Sequence, residues 1–203
     1  MVCDRSIFLH VGVTVYETIV SFLLVIFIAL LCAVLLWFSP KLSEIMEPYL
    51  VVLNSLPKSA LAPLLIVWLG SGSCTIIVAG MSVAVFGSII SMYTAFRETD
   101  SEKIKLIHTL GGGKREALCY VIFPSSLPSV ISILKVNIGL CLVGVIIGEF
   151  LAAREGLGYL IIYASQIFKL NYLIAALMVL CLIALILYTV IQKFEHQIKR
   201  SRS

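Results

Sequence analysis

Residues 97–128, RETDSEKIKLIHTLGGGKREALCYVIFPSSLP, are the one polar interval in an otherwise apolar chain. The interval is too long and too amphipathic for a hairpin that only joins two membrane helices, so it predicts a segment that docks on something. Thr99, Asp100 or Ser101 can cap a helix N-terminus, Glu102 suits a first turn and Gly111 is a C-terminal stop, which together predict a short helix over 102–110. Ile104, Ile107 and Leu110 recur at three-residue intervals on one side, Leu106 flanks them, and Lys103 and Lys105 point elsewhere. Beyond the glycines at 111–113, residues 114–121 predict a second short helix that enters the membrane and is broken at Pro124 and Pro128. The residues alone leave two uses open for the apolar ridge: a contact with another protein, or an interfacial helix lying on lipid headgroups.

Outward from this interval the chain is oily. Of 203 residues, 61% are hydrophobic and 13% charged, and the mean hydropathy is +1.09. A water-soluble domain of this length has too little interior to hide so much apolar surface, so the composition specifies an integral membrane protein. About 20 apolar residues cross a bilayer core, and the runs over 11–38, 49–69, 74–96, 127–153 and 172–192 meet that length. The expected fold is therefore all-α, a polytopic bundle of five transmembrane helices in a single domain over 1–203. Pro57 and Pro63 interrupt the second run and predict a shaped helix there. The runs are continuous instead of alternating, which excludes barrel strands. The first run is too long for a signal-peptide core, with no small-residue cleavage site before Ser39 and Pro40, so the first helix is expected to stay.

Basic residues set the expected orientation. With the N-terminus outside, the inner segments hold Lys41, Arg97, Lys103, Lys105, Lys114, Arg115, Lys193, Lys199, Arg200 and Arg202; the outer segments hold only Arg5, Arg154 and Lys169. The polar interval and the basic tail then face the cytoplasm, and the tail reads as a positive-inside stop signal.

Little in the sequence suggests catalysis. The cysteines at 3, 32, 74, 119, 141 and 181 are scattered, mostly within spans, and read as small apolar residues. His10, His108 and His196 are isolated, and Glu17 near the outer end of the first span stands alone. Residues 111–114, GGGK, lack the spacing of a phosphate-binding loop, so any ATP must be bound by another chain. No metal, cofactor or nucleic-acid partner is expected.

The fourth span carries the costliest residues. A charge at mid-bilayer costs on the order of 3 kcal/mol, so Lys135 and Glu149 should avoid lipid. They lie about 21 Å apart along one helix and cannot pair with each other. Gly139, Leu142 and Ile146 fall between them, making Lys135, Gly139 and Glu149 candidates to line a path. For each, a plainer role stands beside that one: snorkelling to the inner interface for Lys135, and positioning of the loop at 156–159 for Glu149. The opposite side carries Asn137, Cys141, Gly144, Gly148 and Ala152, whose small residues let another helix approach closely.

The interval resembles the cytoplasmic signature loop of permeases from bacterial binding-protein-dependent ABC importers, whose pattern is EAA, three residues, Gly, nine residues, Ile, any residue, Leu-Pro. Gly111 stands for the glycine, Val121 for the isoleucine and Phe123-Pro124 for the Leu-Pro, while Lys105-Leu106-Ile107 occupies the EAA places. The segments LNSLPK at 53–58, APL at 62–64, WLG at 68–70, TLG at 109–111, GEF at 148–150 and GLGY at 156–159 resemble the nitrate, taurine and alkanesulfonate branch. The resemblance spans roughly residues 10–192. Members of this branch usually carry one more N-terminal helix, which leaves a naturally short permease and a truncated reading frame both open.

The resemblance implies a permease of the bacterial inner membrane, multi-pass, with the N-terminus outside and the C-terminus cytoplasmic. Its implied partners are a second permease subunit as a homodimer, cytoplasmic ABC ATPase subunits, an extracytoplasmic binding protein and membrane lipid. Glu102, Ile104, Ile107, Thr109, Leu110, Gly111 and Pro124, within a coupling loop over 97–116, would couple to the ATPase. Closure of the ATPases would swing the spans between inward-open and outward-open states. The implied substrate is a small anion such as nitrate, taurine or another sulfonate, or a thiamine-precursor-like pyrimidine. A secondary transporter would need repeated halves and mid-depth coupling charges, and an intramembrane enzyme would need clustered His, Asp or Glu groups; neither pattern appears.

Overall fold

The computed structural model describes residues 6–200. Arg5, Arg202 and Cys3 lie outside the described residues, as do the side chains of His196, Lys199 and Arg200. The chain runs through α1 (Ser6–Phe38), α2 (Pro40–Ser55), α3 (Lys58–Leu69), α4 (Ser73–Arg97), α5 (Ser101–Thr109), α6 (Lys114–Ala117), a π-helical turn (Leu118–Ile122), α7 (Phe123–Ala152), α8 (Leu157–Gln166) and α9 (Leu170–Arg200). Four stretches are long and apolar enough to cross a bilayer: Ile7–Phe38, Ser73–Arg97, Lys114–Ala152 and Leu170–Lys193. The pair α2 and α3 makes a fifth if counted as one broken span.

Two expectations about prolines need correction. The second span is not one kinked helix: Pro57 caps α3 from an extended conformation and the chain breaks there, whereas Pro63 sits inside α3. Residues 114–152, by contrast, are not broken at Pro124 and Pro128. The π turn immediately before Pro124, closed by the Phe123 N–H donating to the Leu118 carbonyl, widens the helix so that it continues past the ring. Pro128 then lies within α7.

The helices pack around two centres. One unit comprises residues up to Val25, Leu56–Ala84 and the chain from Lys135 onward; the other comprises Ile26–Ser55 and Val85–Leu134. In the second unit, Ala29, Ala33, Leu36, Leu50, Ile89, Met92, Phe96 and Ile122 form the core. In the first, Leu142, Ile146, Leu157 and Ile183 make one cluster, and Ile76, Val145 and Ala152 another. Small residues draw α4 and α7 of the first unit together: a Cβ added at Gly144 would stand 2.8 Å from the Gly80 Cα and 3.0 Å from the Ala79 carbonyl oxygen. One added at Gly148 would stand 3.1 Å from the Ile76 Cα. Phe8, Tyr16, Leu23, Phe27, Leu31 and Leu35 instead project outward from α1, as lipid contact requires.

Candidate functional site

The polar interval folds as a capped helix followed by a glycine turn. Asp100 caps α5, its carboxylate accepting from the Glu102 N–H at 2.9 Å, a contact of the kind worth about 1 kcal/mol. Gly111 has φ +84°, the left-handed conformation that ends a helix. The Gly112 N–H donates back to the Ile107 carbonyl at 2.9 Å, and the Glu116 carboxylate accepts from the Gly113 N–H at 2.9 Å. The turn therefore leads straight from α5 into α6 and the long span behind it.

The side chains of α5 divide differently from the expected ridge. Ile104 packs against the core of its own unit, and Ile107 lies half-buried over Gly112, to which a Cβ would come within 2.6 Å of its side chain. Leu106 and Leu110, 58% and 75% exposed, are the apolar side chains that α5 presents outward. They are four residues apart and share one face. Glu102 and Thr109 are exposed beside them, the Thr109 hydroxyl donating to the Leu106 carbonyl. Pro124 is half-buried at the start of α7, next to the π turn.

Of the three residues considered for a path, Lys135 and Gly139 share a cavity of about 510 Å³ between α7 and α9, lined by apolar side chains including Leu142, Leu185 and Leu187. The Lys135 ammonium forms an ion pair with Glu195. Glu149 is not among the residues lining that cavity; it is 1% exposed and held in a polar network. The Thr14 hydroxyl donates to Glu149 Oε1 at 2.7 Å, and the Gly158 N–H donates to Oε2 at 2.5 Å. Thr14 Oγ1 in turn accepts from the Leu157 N–H at 2.8 Å, and His10 Nδ1 accepts from the Gly156 N–H at 2.9 Å. This network ties α1 and α7 to the start of α8. Of the residues expected on the packing face, Asn137 is 3% exposed, and Gly144 and Gly148 lie against α4.

Sequence reasoning missed the α1 half of this network. His10, Thr14, Glu17, Thr18 and Ser21 are all buried and recur every three or four residues, so they form one polar stripe on an otherwise oily helix. That spacing is visible in the sequence. Glu17, which looked solitary, lies beside Ser73 and Glu149.

Known proteins fit this architecture. A profile of the family described as "Binding-protein-dependent transport system inner membrane component" matches residues 25–200. A "Probable ABC transporter permease protein" of Haemophilus influenzae is 32% identical over 188 residues, covering 93% of this chain and 77% of that protein. The "Formylaminopyrimidine transport permease protein ThiX" of Halalkalibacterium halodurans is 26% identical, covering 95% and 77%. Among solved structures, a chain of the inward-facing MetNI methionine ABC transporter superposes with a TM-score of 0.77 at 20% identity, over 95% of this chain and 94% of that one. The four apolar spans, the broken α2–α3 pair and the capped loop helix are thus those of a known fold, and the chain belongs to the binding-protein-dependent inner membrane components, the permease subunits of ABC importers.

Proposed function

We propose that this permease forms half of a gated path, with its N-terminus outside and α5 docked in the cytoplasm on a separate ABC ATPase. The ten-to-three excess of Lys and Arg on the side of the polar interval supports that orientation. The observation that carries the docking reading is the pair Leu106 and Leu110, exposed on a capped helix whose glycine turn feeds directly into the 114–152 span. Burying two leucines in an ATPase groove contributes on the order of 3 kcal/mol, and pulling on α5 would be transmitted to the span through the short turn at 111–113. The chain itself catalyses nothing in this reading. Two copies form the path, and a binding protein outside the cell delivers a small polar solute, a nitrate- or sulfonate-sized anion or a pyrimidine of the size handled by the ThiX relative.

Co-purification tests the docking. The permease is expressed with its ATPase subunit and extracted in mild detergent as wild type, L106E and L110E. Both substitutions lie on exposed positions, so insertion should be unchanged while retained ATPase falls about tenfold or more. Full retention of the ATPase by both variants would overturn the docking role of α5.

A further inference from the structure

Beside the polar interval, the end of α1, the first turns of α2 and the last turn of α4 enclose a cavity of about 280 Å³, whose walls include Trp37, Ser43, Glu44, Glu47, Tyr93 and Arg97. It lies where these helices leave the bilayer: the apolar run of α1 stops at Phe38, and Arg97 opens the polar interval. Tryptophan and tyrosine suit that depth. The buried Ser43 hydroxyl donates to the Tyr93 hydroxyl, and the Arg97 guanidinium stands 5.7 Å from the centre of the Tyr93 ring. The arginine is thus seated on an anchored ring. Among the described residues neither Glu44 nor Glu47 forms an ion pair with it, so one cavity presents a guanidinium and two carboxylates that do not satisfy one another.

An apolar groove of about 130 Å³ continues from this cavity, with Leu42, Met46, Leu50 and Ile89 in its walls and Leu36 shared between the two. Ile89, Tyr93 and Arg97 follow one another every four residues, so a single stripe of α4 runs from the groove up to the cavity over about 12 Å. On α2, Leu42, Met46 and Leu50 repeat at the same spacing on the groove side, while Ser43, Glu44 and Glu47 serve the cavity. A charged chamber at headgroup depth that opens onto an apolar groove leading into the span has the shape of a phospholipid.

The charges say which phospholipid. A guanidinium is matched by a phosphate. Two carboxylates at headgroup depth are repelled by anionic lipid, so they call for a cation that the lipid itself brings. An ammonium offers three N–H donors to them, whereas a trimethylated choline offers none. We propose that cavity and groove hold one amine-bearing zwitterionic phospholipid, its phosphate on Arg97, its ammonium between Glu44 and Glu47 and an acyl chain along Leu42, Met46 and Ile89. The site is independent of how α5 docks, and its test uses the permease chain alone.

The test measures thermal unfolding of the delipidated full chain in detergent after addition of dioleoyl phosphatidylethanolamine, phosphatidylcholine or phosphatidylglycerol, or of soluble phosphoethanolamine. Phosphatidylethanolamine should raise the midpoint saturably, by about 5 °C at a hundredfold excess over its dissociation constant, and the other three clearly less. Glu44, Glu47 and Arg97 are exposed, so their variants should fold. E44Q/E47Q should bring the response to phosphatidylethanolamine down to that of phosphatidylcholine, and R97Q should weaken the response to all three phospholipids. The proposal fails if the wild type responds to none of the lipids or to all three alike, or if the preference for phosphatidylethanolamine survives E44Q/E47Q. A stronger response to phosphatidylglycerol would make the cavity an anion site on Arg97, and a full shift with phosphoethanolamine would make the ligand a soluble one; either overturns it equally.

Discussion

Thr14 and Glu149, separated by 135 positions in the chain, are joined by a 2.7 Å hydrogen bond between their buried side chains. Because Thr14 also accepts from the Leu157 N–H, its hydroxyl is the link between α1, α7 and the first turn of α8. Removing it strands two partners. T14V keeps the shape and loses the hydroxyl, so it should destabilise the permease by about 2 kcal/mol, while T14S should stay near wild type. Thermal unfolding in detergent checks this: a midpoint for T14V within a degree of wild type would show that the link is not holding these helices.

The close approach around Glu149 gives a second expectation. Gly156 has φ +110°, and a Cβ there would run into the Glu149 carboxyl. G156A is thus strained twice, in backbone and in space, and should cost about 3 kcal/mol or more. Gly139 is the matched control, since a Cβ there meets nothing within 4 Å. G139A should be neutral or slightly stabilising through better helix propensity. Detergent-extracted yield and unfolding midpoint compare the two; equal behaviour would overturn the reading of the loop at 156–158.

The spans were legible because their length and hydropathy are set by the bilayer, not by their neighbours. The α5 cap and its glycine stop were legible for a similar reason: they depend on residues within a few positions. What escaped was contact at a distance. Glu17 reads as solitary until α4 and α7 bring Ser73 and Glu149 beside it, and Ile104 reads as an exposed ridge until its own unit supplies a core to cover it. The π turn before Pro124 was invisible because proline's local rule says break, while burial of Ala117 and Ile122, both in the turns that lead up to the ring, keeps the helix running.

The contact of α4 with α7 depends on Gly144 meeting backbone atoms that cannot swing away. A Cβ at 144 would press on the Gly80 Cα and the Ala79 carbonyl. G144A should cost about 2 kcal/mol, roughly 5 °C in the unfolding midpoint of a chain of this size, and G144L considerably more. Gly12, where a Cβ meets nothing within 4 Å, supplies the control. If G144A and G12A unfold together, close packing of the two spans is not what the glycine provides.

Lys135 and Glu195 test whether a charge pair, not hydrophobic contact alone, fixes α9 on α7. Their side chains are 20% and 9% exposed, so either one alone would be a poorly solvated charge. K135M and E195Q should each cost about 2 kcal/mol, because each removes one half of the ion pair, while the double variant K135M/E195Q should recover much of that loss. The coupling is read from the unfolding midpoints of the four proteins at low and high salt, since a largely buried pair is only partly screened. Strict additivity of the two single losses would mean that the ion pair contributes nothing to the position of α9, and that the apolar wall formed by Leu142, Leu185 and Leu187 holds it unaided.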